Sequence, residues 1–268
     1  MIICLDAGHY GKYNRSPANS AYYESEMAWK LHLLLKKELE KYGISVVLTR
    51  DNQAKDLALE KRGKMAKGCD LFMSIHSNAV GSKVDNNTDY PLACCSVSGK
   101  ADTIGLRLAQ AVQMEMGTKQ GGRILKKKWG SADYYGVLRG AASVGVPGVL
   151  LEHSFHTNTT ATNWLLSDSN LVKLAIAEAE VIAKHYGLTK QPEKAEISTF
   201  TPYKVKVISN ALNIRKTPVW ANSDVVGVIK DKGVYTIVDE TMLGTTKFGK
   251  LKSGQGWVSL GSAYVKKL

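Results

Sequence analysis

Three places in this sequence put a side chain able to bind a metal or carry a proton directly after an apolar run. MIICLDAGH ends in His9, DLFMSIHSN carries His76, and VPGVLLEHSFHTN carries Glu152. Each alone has an ordinary reading. A histidine at a strand end is more often a hydrogen-bonded structural residue than a ligand, and a glutamate there can be a plain surface carboxylate. As a set they point to a site, because ligands gather at the carboxyl ends of the strands of an open parallel sheet. Two imidazoles with a carboxylate form the donor set that zinc takes in catalytic centres, where three protein ligands leave one position open. His9 and His76 supply two. The third is expected near His9, where Glu24 and Glu26 open a helix, a place that favours negative charge in any case. Glu152 then stays free to act as a base.

Elements that can position these residues are legible along residues 1–188. Apolar strand runs fall at Ile2–Asp6, Ile44–Leu48, Asp70–His76, Leu92–Val97 and Val146–Leu151. Helical periodicity falls at Glu24–Tyr42, Asp56–Lys67, Ala101–Met116 and Leu171–Tyr186, the last with Ser169 or Asn170 placed to cap it. The alternation predicts an α/β domain, a twisted, mostly parallel sheet flanked by helices. Residues 189–202, TKQPEKAEISTFTP, have no apolar period and read as a linker. Residues 203–268 show short β-rich runs at Tyr203–Ile208, Val225–Ile229, Val234–Val238, Lys247–Leu251, Gly256–Ser259 and Tyr264–Lys266, which predict a small all-β barrel.

The 268 residues carry a formal net charge of +12, which favours an anionic partner: nucleic acid, a membrane surface or an anionic wall polymer. Residues 203–268 hold 11 basic against 4 acidic side chains and are the more basic part. No apolar stretch approaches the roughly 20 residues of a membrane span, so membrane insertion is not expected. The opening MIICLDAGH lacks a basic n-region, and the chain is expected to be made in the cytoplasm without a secretory signal. Cys4, Cys69, Cys94 and Cys95 match no zinc spacing and fit reduced thiols; Cys4 and Cys69 are expected in the core, Cys94 and Cys95 on opposite faces of a strand.

Taken in order, LDAGH, YYESEMAW, LTRD followed by LEKRGKMAKGCDLFMSIHSN, and VPGVLLEHSFHTN resemble the elements of the zinc-dependent N-acetylmuramoyl-L-alanine amidases of the Amidase_3 type, over roughly residues 1–188. The resemblance implies zinc on His9, Glu24 and His76, with Glu24 preferred to Glu26, and Glu152 as the catalytic glutamate. It implies hydrolysis of the amide between N-acetylmuramic acid and the L-alanine of the peptidoglycan stem. Asn78 and Arg139 stand as substrate-side candidates, for orienting the site and stabilising the developing oxyanion; an ordinary surface arginine is the alternative for Arg139. One departure is YGKYNRS in place of the glycine-rich turn usual after the first histidine, so Tyr10 and Tyr13 could change how glycan is held. ALNIRKTP, VVGVIKDKGVYTIVDE, KFGKLKSGQGWVSL and YVKKL resemble bacterial SH3-type cell-wall-binding modules, with Trp220 and Tyr235 either core or groove and Trp257 expected in the core. The whole looks like a phage endolysin acting on a Gram-positive wall after release, with a host autolysin or a sporulation amidase as the alternative. His32, His153, His156 and His185 are left outside the site; His32 and His185 read as structural. A zinc peptidase is disfavoured because HExxH is absent. A non-catalytic wall-binding protein is a further alternative, which metal content would discriminate. Nucleic acid is not expected, since the β-rich part shows no aromatic and basic stripe for base stacking.

Overall fold

The computed structural model describes residues 1–191, 200–243 and 246–268. The chain forms two compact units, Met1–Pro192 and Glu193–Leu268. Residues 192–199, the middle of the expected linker, lie outside the described residues.

The first unit runs β1 (Ile2–Ala7), α1 (Glu24–Glu40), β2 (Ser45–Leu48), α2 (Leu59–Lys64), β3 (Leu71–Asn78), β4 (Leu92–Cys95), α3 (Asp102–Met116), β5 (Arg123–Leu125), β6 (Lys128–Trp129), β7 (Ala132–Asp133), α4 (Gly136–Ser143), β8 (Gly148–Phe155), α5 (Thr159–Leu165) and α6 (Asp168–His185). Six strands form one sheet in the order β2-β1-β3-β8-β4-β5. All neighbours are parallel except β4 against β8, so the last two strands run opposite to the other four. Both faces are covered, which is why the strands read as continuous apolar runs. On β3, Leu71, Met73 and Ile75 pack with Leu31, Leu35 and Leu39 of α1, Leu108 of α3 and Leu174 of α6. Phe72 points the other way, into a second cluster with Val137, Leu138 and Ala141 of α4. Cys95 joins the first cluster and Cys94 the second, on opposite faces as the period of two requires.

Several boundaries differ from the sequence expectation. β3 does not stop at His76, and β8 runs through Glu152, because the two strands keep pairing past the end of their apolar residues, with His76 opposite Glu152. The ladder shifts register between His76 and Asn78, where Ser154 of β8 adopts a left-handed φ of 58°. α2 is shorter than Asp56–Lys67. Its Gly63 and the Gly140 of α4 let two helix backbones touch: a Cβ on Gly63 would lie 2.0 Å from the Val137 carbonyl oxygen, and one on Gly140 would lie 2.2 Å from that of Glu60. α6 begins at Asp168, which puts Ser169 and Asn170 inside its first turn rather than at the cap. The short elements β5, β6, β7, α4 and α5 carry too few apolar repeats to stand out in sequence.

α1 buries His32, at 1% exposure, with its Nδ1 hydrogen donated to the Trp29 carbonyl. Burial lowers the pKa of His32 from 6.5 to about 4. The unfolded chain therefore binds a proton below pH 6.5 that the folded chain refuses until about pH 4. Stability is expected to fall across that window by up to about 3 kcal/mol through this group. Urea unfolding at pH 7 and pH 4.5 checks it: His32→Gln should show a smaller loss on acidification than the parent, and an equal loss would remove His32 as a source.

The second unit contains β9 (Tyr203–Val207), β10 (Leu212–Arg215), β11 (Val225–Ile229), β12 (Val234–Leu243), β13 (Thr246–Leu251), β14 (Trp257–Ser259) and β15 (Val265–Lys267). These form an antiparallel sheet in the order β11-β10-β14-β13-β12-β9-β15. All seven strands send residues into one core, among them Val205, Ile214, Ile229, Ile237, Leu251, Val258 and Val265, so the sheet wraps round it. β10 was not anticipated. Trp257 departs from the core expectation: Val258 is the inward residue, and alternation leaves Trp257 half-buried with Lys250 Nζ 5.9 Å from its ring centre. Among the described residues no helix is long and apolar enough to cross a membrane.

Candidate active site

β1 delivers His9 through Gly8. A Cβ on Gly8 would lie 2.5 Å from His76 Cε1 and 2.7 Å from the Ile75 carbonyl oxygen, so only glycine lets the end of β1 lie against the His76 ring. His9 itself has φ 59° and Asn14 has φ 52°, left-handed conformations that cost energy in residues other than glycine and cluster at functional sites. The loop closes on α1: Asn14 accepts the Glu24 backbone N–H at 3.0 Å. Its side-chain amide donates to Glu24 Oε2 at 2.7 Å.

The structure brings His9, Glu24 and His76 together. Glu24 Oε1 lies 2.8 Å from His76 Nδ1, and Glu24 Oε2 lies 3.1 Å from His9 Nε2. One ligand atom from each of the three falls within 4.8 Å of the others. Glu26 is not part of this group; its Oε1 is 3.8 Å from Lys12 Nζ. Ser77 donates its backbone N–H to Glu24 Oε1 at 3.1 Å. Burial would raise the Glu24 pKa, but the facing imidazoles of His76 and then His9 outweigh it and hold the carboxyl below its ordinary range.

Glu152 faces this group from the neighbouring strand, in register with His76. It lines a cavity of about 360 Å³ with His9, Glu24, His76, Asn78 and His156. Among the described residues no hydrogen bond or ion pair engages its carboxylate. Burial, and then the Glu24 charge, push its pKa well above that of an ordinary glutamate. A perturbed carboxyl in a cleft beside potential ligands is suited to proton transfer.

Several neighbours escaped the sequence reading. His156 also lines the cavity; its Nδ1 is 2.9 Å from the Ser77 hydroxyl and 4.0 Å from Glu24 Oε2, and burial lowers its pKa. His153 points to the other face of β8, wholly buried, with Nε2 2.7 Å from Glu178 Oε1 on α6 and Nδ1 2.9 Å from the His76 carbonyl oxygen. The two histidines of EHSFH were the signal for both. Tyr13 stacks on His9 with ring centres 5.0 Å apart and remains 50% exposed.

The two substrate-side candidates are placed differently. Asn78 lines the cavity, and its Oδ1 accepts the Ala79 N–H at 2.8 Å. Arg139 is not among the cavity residues. Its guanidinium donates to Glu60 Oε1 at 3.0 Å and to the carbonyls of Asp133 and Tyr134 at 3.1 and 2.7 Å. It also lies 4.9 Å from the Trp129 ring centre. Arg139 thus braces the β6–β7 hairpin, and the chain leaving that hairpin supplies Tyr135 and Gly136 to the cavity.

The donor set fits zinc. Two imidazoles and one carboxylate converge, and no lysine or arginine among the described residues pairs with the buried Glu24, so a cation there would answer its charge. An α/β sheet that holds such a cluster at its carboxyl edge, with a free carboxyl opposite, has the parts of a hydrolase.

Residues 3–184 match the Amidase_3 family, N-acetylmuramoyl-L-alanine amidase, and the chain belongs to this family of peptidoglycan amidases. An endolysin of Bacillus phage SPP1 is 28% identical over 277 residues, covering 98% of this chain and 97% of that protein. A sporulation-specific N-acetylmuramoyl-L-alanine amidase of Bacillus subtilis is 26% identical over 238 residues, 85% of each chain. The catalytic domain of CwlV, an N-acetylmuramoyl-L-alanine amidase from Bacillus (Paenibacillus) polymyxa, superposes with a TM-score of 0.59 at 21% identity, over 70% of this chain and 99% of that one. At that identity the superposition speaks for the α/β fold of the first unit.

Proposed function

We propose that this amidase is zinc-dependent, with His9, Glu24 and His76 as ligands and Glu152 as general base and acid, and that it serves as an endolysin on a Gram-positive wall. The observation that carries the reading is the pairing of a converging His-Glu-His set with an unengaged carboxyl in register beside it. Zinc held there would supply a Lewis acid for the amide carbonyl and a readily ionised water. Glu152 takes a proton from the attacking water and returns it to the departing alanine nitrogen; its raised pKa lets it hold that proton between the two steps. Asn14 and the Ser77 N–H keep the Glu24 carboxylate oriented. Asn78 orients substrate at the cavity wall, and Arg139 acts through the hairpin it braces.

The second unit is read as an SH3-type wall-binding module. Its basic charge supports this, as does a cleft of about 560 Å³ lined by Tyr203, Trp220, Tyr264, Glu240 and Lys247, which offers aromatic faces and both charge signs to a wall peptide. Tethering it to the catalytic unit raises local substrate concentration. The endolysin relative, matched along nearly its whole length, favours that role over the bacterial amidases, with action on the wall following release from the cytoplasm.

Purified protein incubated with Gram-positive peptidoglycan should expose N-terminal alanine without new reducing sugar ends. A chelator should abolish the reaction and added zinc restore it. New N-termini of another residue would indicate a peptidase, and chelator-resistant cleavage would end the zinc assignment.

A further inference from the structure

His76 has a second set of partners that the reaction above does not use. Its Nε2 lies 3.1 Å from the Ser74 hydroxyl. Ser74 donates to Asp6 Oδ2 at 2.7 Å, and Thr49 donates to Asp6 Oδ1 at 2.6 Å. Arg62 Nη1 stands 3.8 Å from the same Oδ1. Asp6 and Ser74 are in register on β1 and β3, and both are wholly buried.

The proton count through this chain has one solution. The Asp6 carboxylate only accepts, so the single Ser74 proton points to it. The Ser74 oxygen is then left as an acceptor, and His76 Nε2 must carry the hydrogen. In a neutral imidazole the lone pair is thereby confined to Nδ1, the nitrogen that faces Glu24 Oε1 at 2.8 Å. Glu24 alone would select the opposite arrangement, since a carboxylate beside Nδ1 attracts the proton to that nitrogen and closes it as a ligand. Two acceptors cannot rest at 2.8 Å without a proton or a cation between them.

We propose that Asp6 and Ser74 are positioning residues that hold the His76 proton on Nε2 and so reserve Nδ1 for the metal against the pull of Glu24. This rests on the zinc reading. Metal-ligating histidines commonly donate their other N–H to such a partner, and losing it typically costs about 10–100-fold in metal affinity.

Long-range ¹H–¹⁵N spectra of histidine-labelled protein report which ring nitrogen carries hydrogen, and chelator competition reports zinc affinity. The zinc-loaded parent should show His76 protonated on Nε2. Ser74→Ala should bind zinc about 10–100-fold more weakly. Asp6→Asn should weaken it at least as much, because an amide at residue 6 can donate to Ser74 and turn the hydroxyl proton toward Nε2. A His76 hydrogen on Nδ1 in the zinc-loaded parent overturns the proposal without any variant, which covers the case in which one fails to fold. Parent-like affinity in both folded variants also overturns it and leaves the zinc reading standing. A parent that binds no zinc overturns the zinc reading itself and, with it, the reservation of Nδ1 for the metal.

Discussion

On the proposed zinc mechanism, replacing Glu152 by glutamine will leave zinc binding intact and cut amide hydrolysis by about 10²–10⁴-fold, the usual contribution of a positioned base. Glutamine keeps the size and planarity of the side chain, so the cavity keeps its shape. What it loses, under the proposed role, is the ability to accept a proton from water and hand it on. Stability is expected to hold or rise. In the parent a carboxyl sits in a poorly solvated place beside the charge of Glu24, and both effects raise its pKa. A neutral amide removes that like-charge repulsion, the exchange of stability for activity that active sites often show. The check is threefold: zinc content, thermal midpoint, and rate on a soluble muramoyl peptide. Parent-like turnover with zinc bound would strike Glu152 from the mechanism, whereas loss of zinc together with activity would assign it to holding the metal.

How much of this site was legible follows from what holds each residue. His9, His76 and Glu152 stand at the carboxyl ends of neighbouring parallel strands, and an apolar run followed by a chemical residue is visible in one dimension. Glu24 and Glu26 could not be separated by spacing alone. Residues two apart on a helix point to different sides, and which side meets the strands depends on how α1 is set down. The Asn14 backbone and the left-handed turn at His9 set it, and both belong to a loop. His153 and His156 were invisible as partners because their directions depend on the left-handed Ser154 at the end of β8. The ends of β3 and β8 were misjudged because hydrogen-bond pairing outlasts hydrophobicity there. Arg139 stayed open between an oxyanion role and an ordinary surface arginine because nothing in VLRG reveals the Glu60 carboxylate and the hairpin carbonyls that it engages. Asp6 and Ser74 read as small polar residues within apolar strands, and only register makes them a pair.

The largest expected loss of stability lies behind the site. Glu178→Ala should destabilise the first unit by about 3–5 kcal/mol, the cost of leaving one member of a buried ion pair alone. His153 and Glu178 are both fully buried and 2.7 Å apart. With both imidazole nitrogens serving as donors, His153 is a cation: burial opposes its charge, and Glu178 outweighs burial and raises its pKa. The pair therefore stabilises fully below the unfolded histidine value of about 6.5 and fades as pH rises through the raised folded value. Removing the carboxylate leaves a charged or unpaired N–H in a dry interior. Replacing both partners, as His153→Phe with Glu178→Leu, should recover most of the loss, because neither ion then has to be stripped of water. Urea unfolding of the two variants separates charge from packing, since a double variant as unstable as Glu178→Ala would mean that shape matters more than charge at this spot. Zinc affinity adds what unfolding cannot report. His153 also ties the His76 carbonyl to α6, so a double variant that is stable yet binds zinc poorly would show that the pair holds the end of β3 where the proposed ligand His76 needs it.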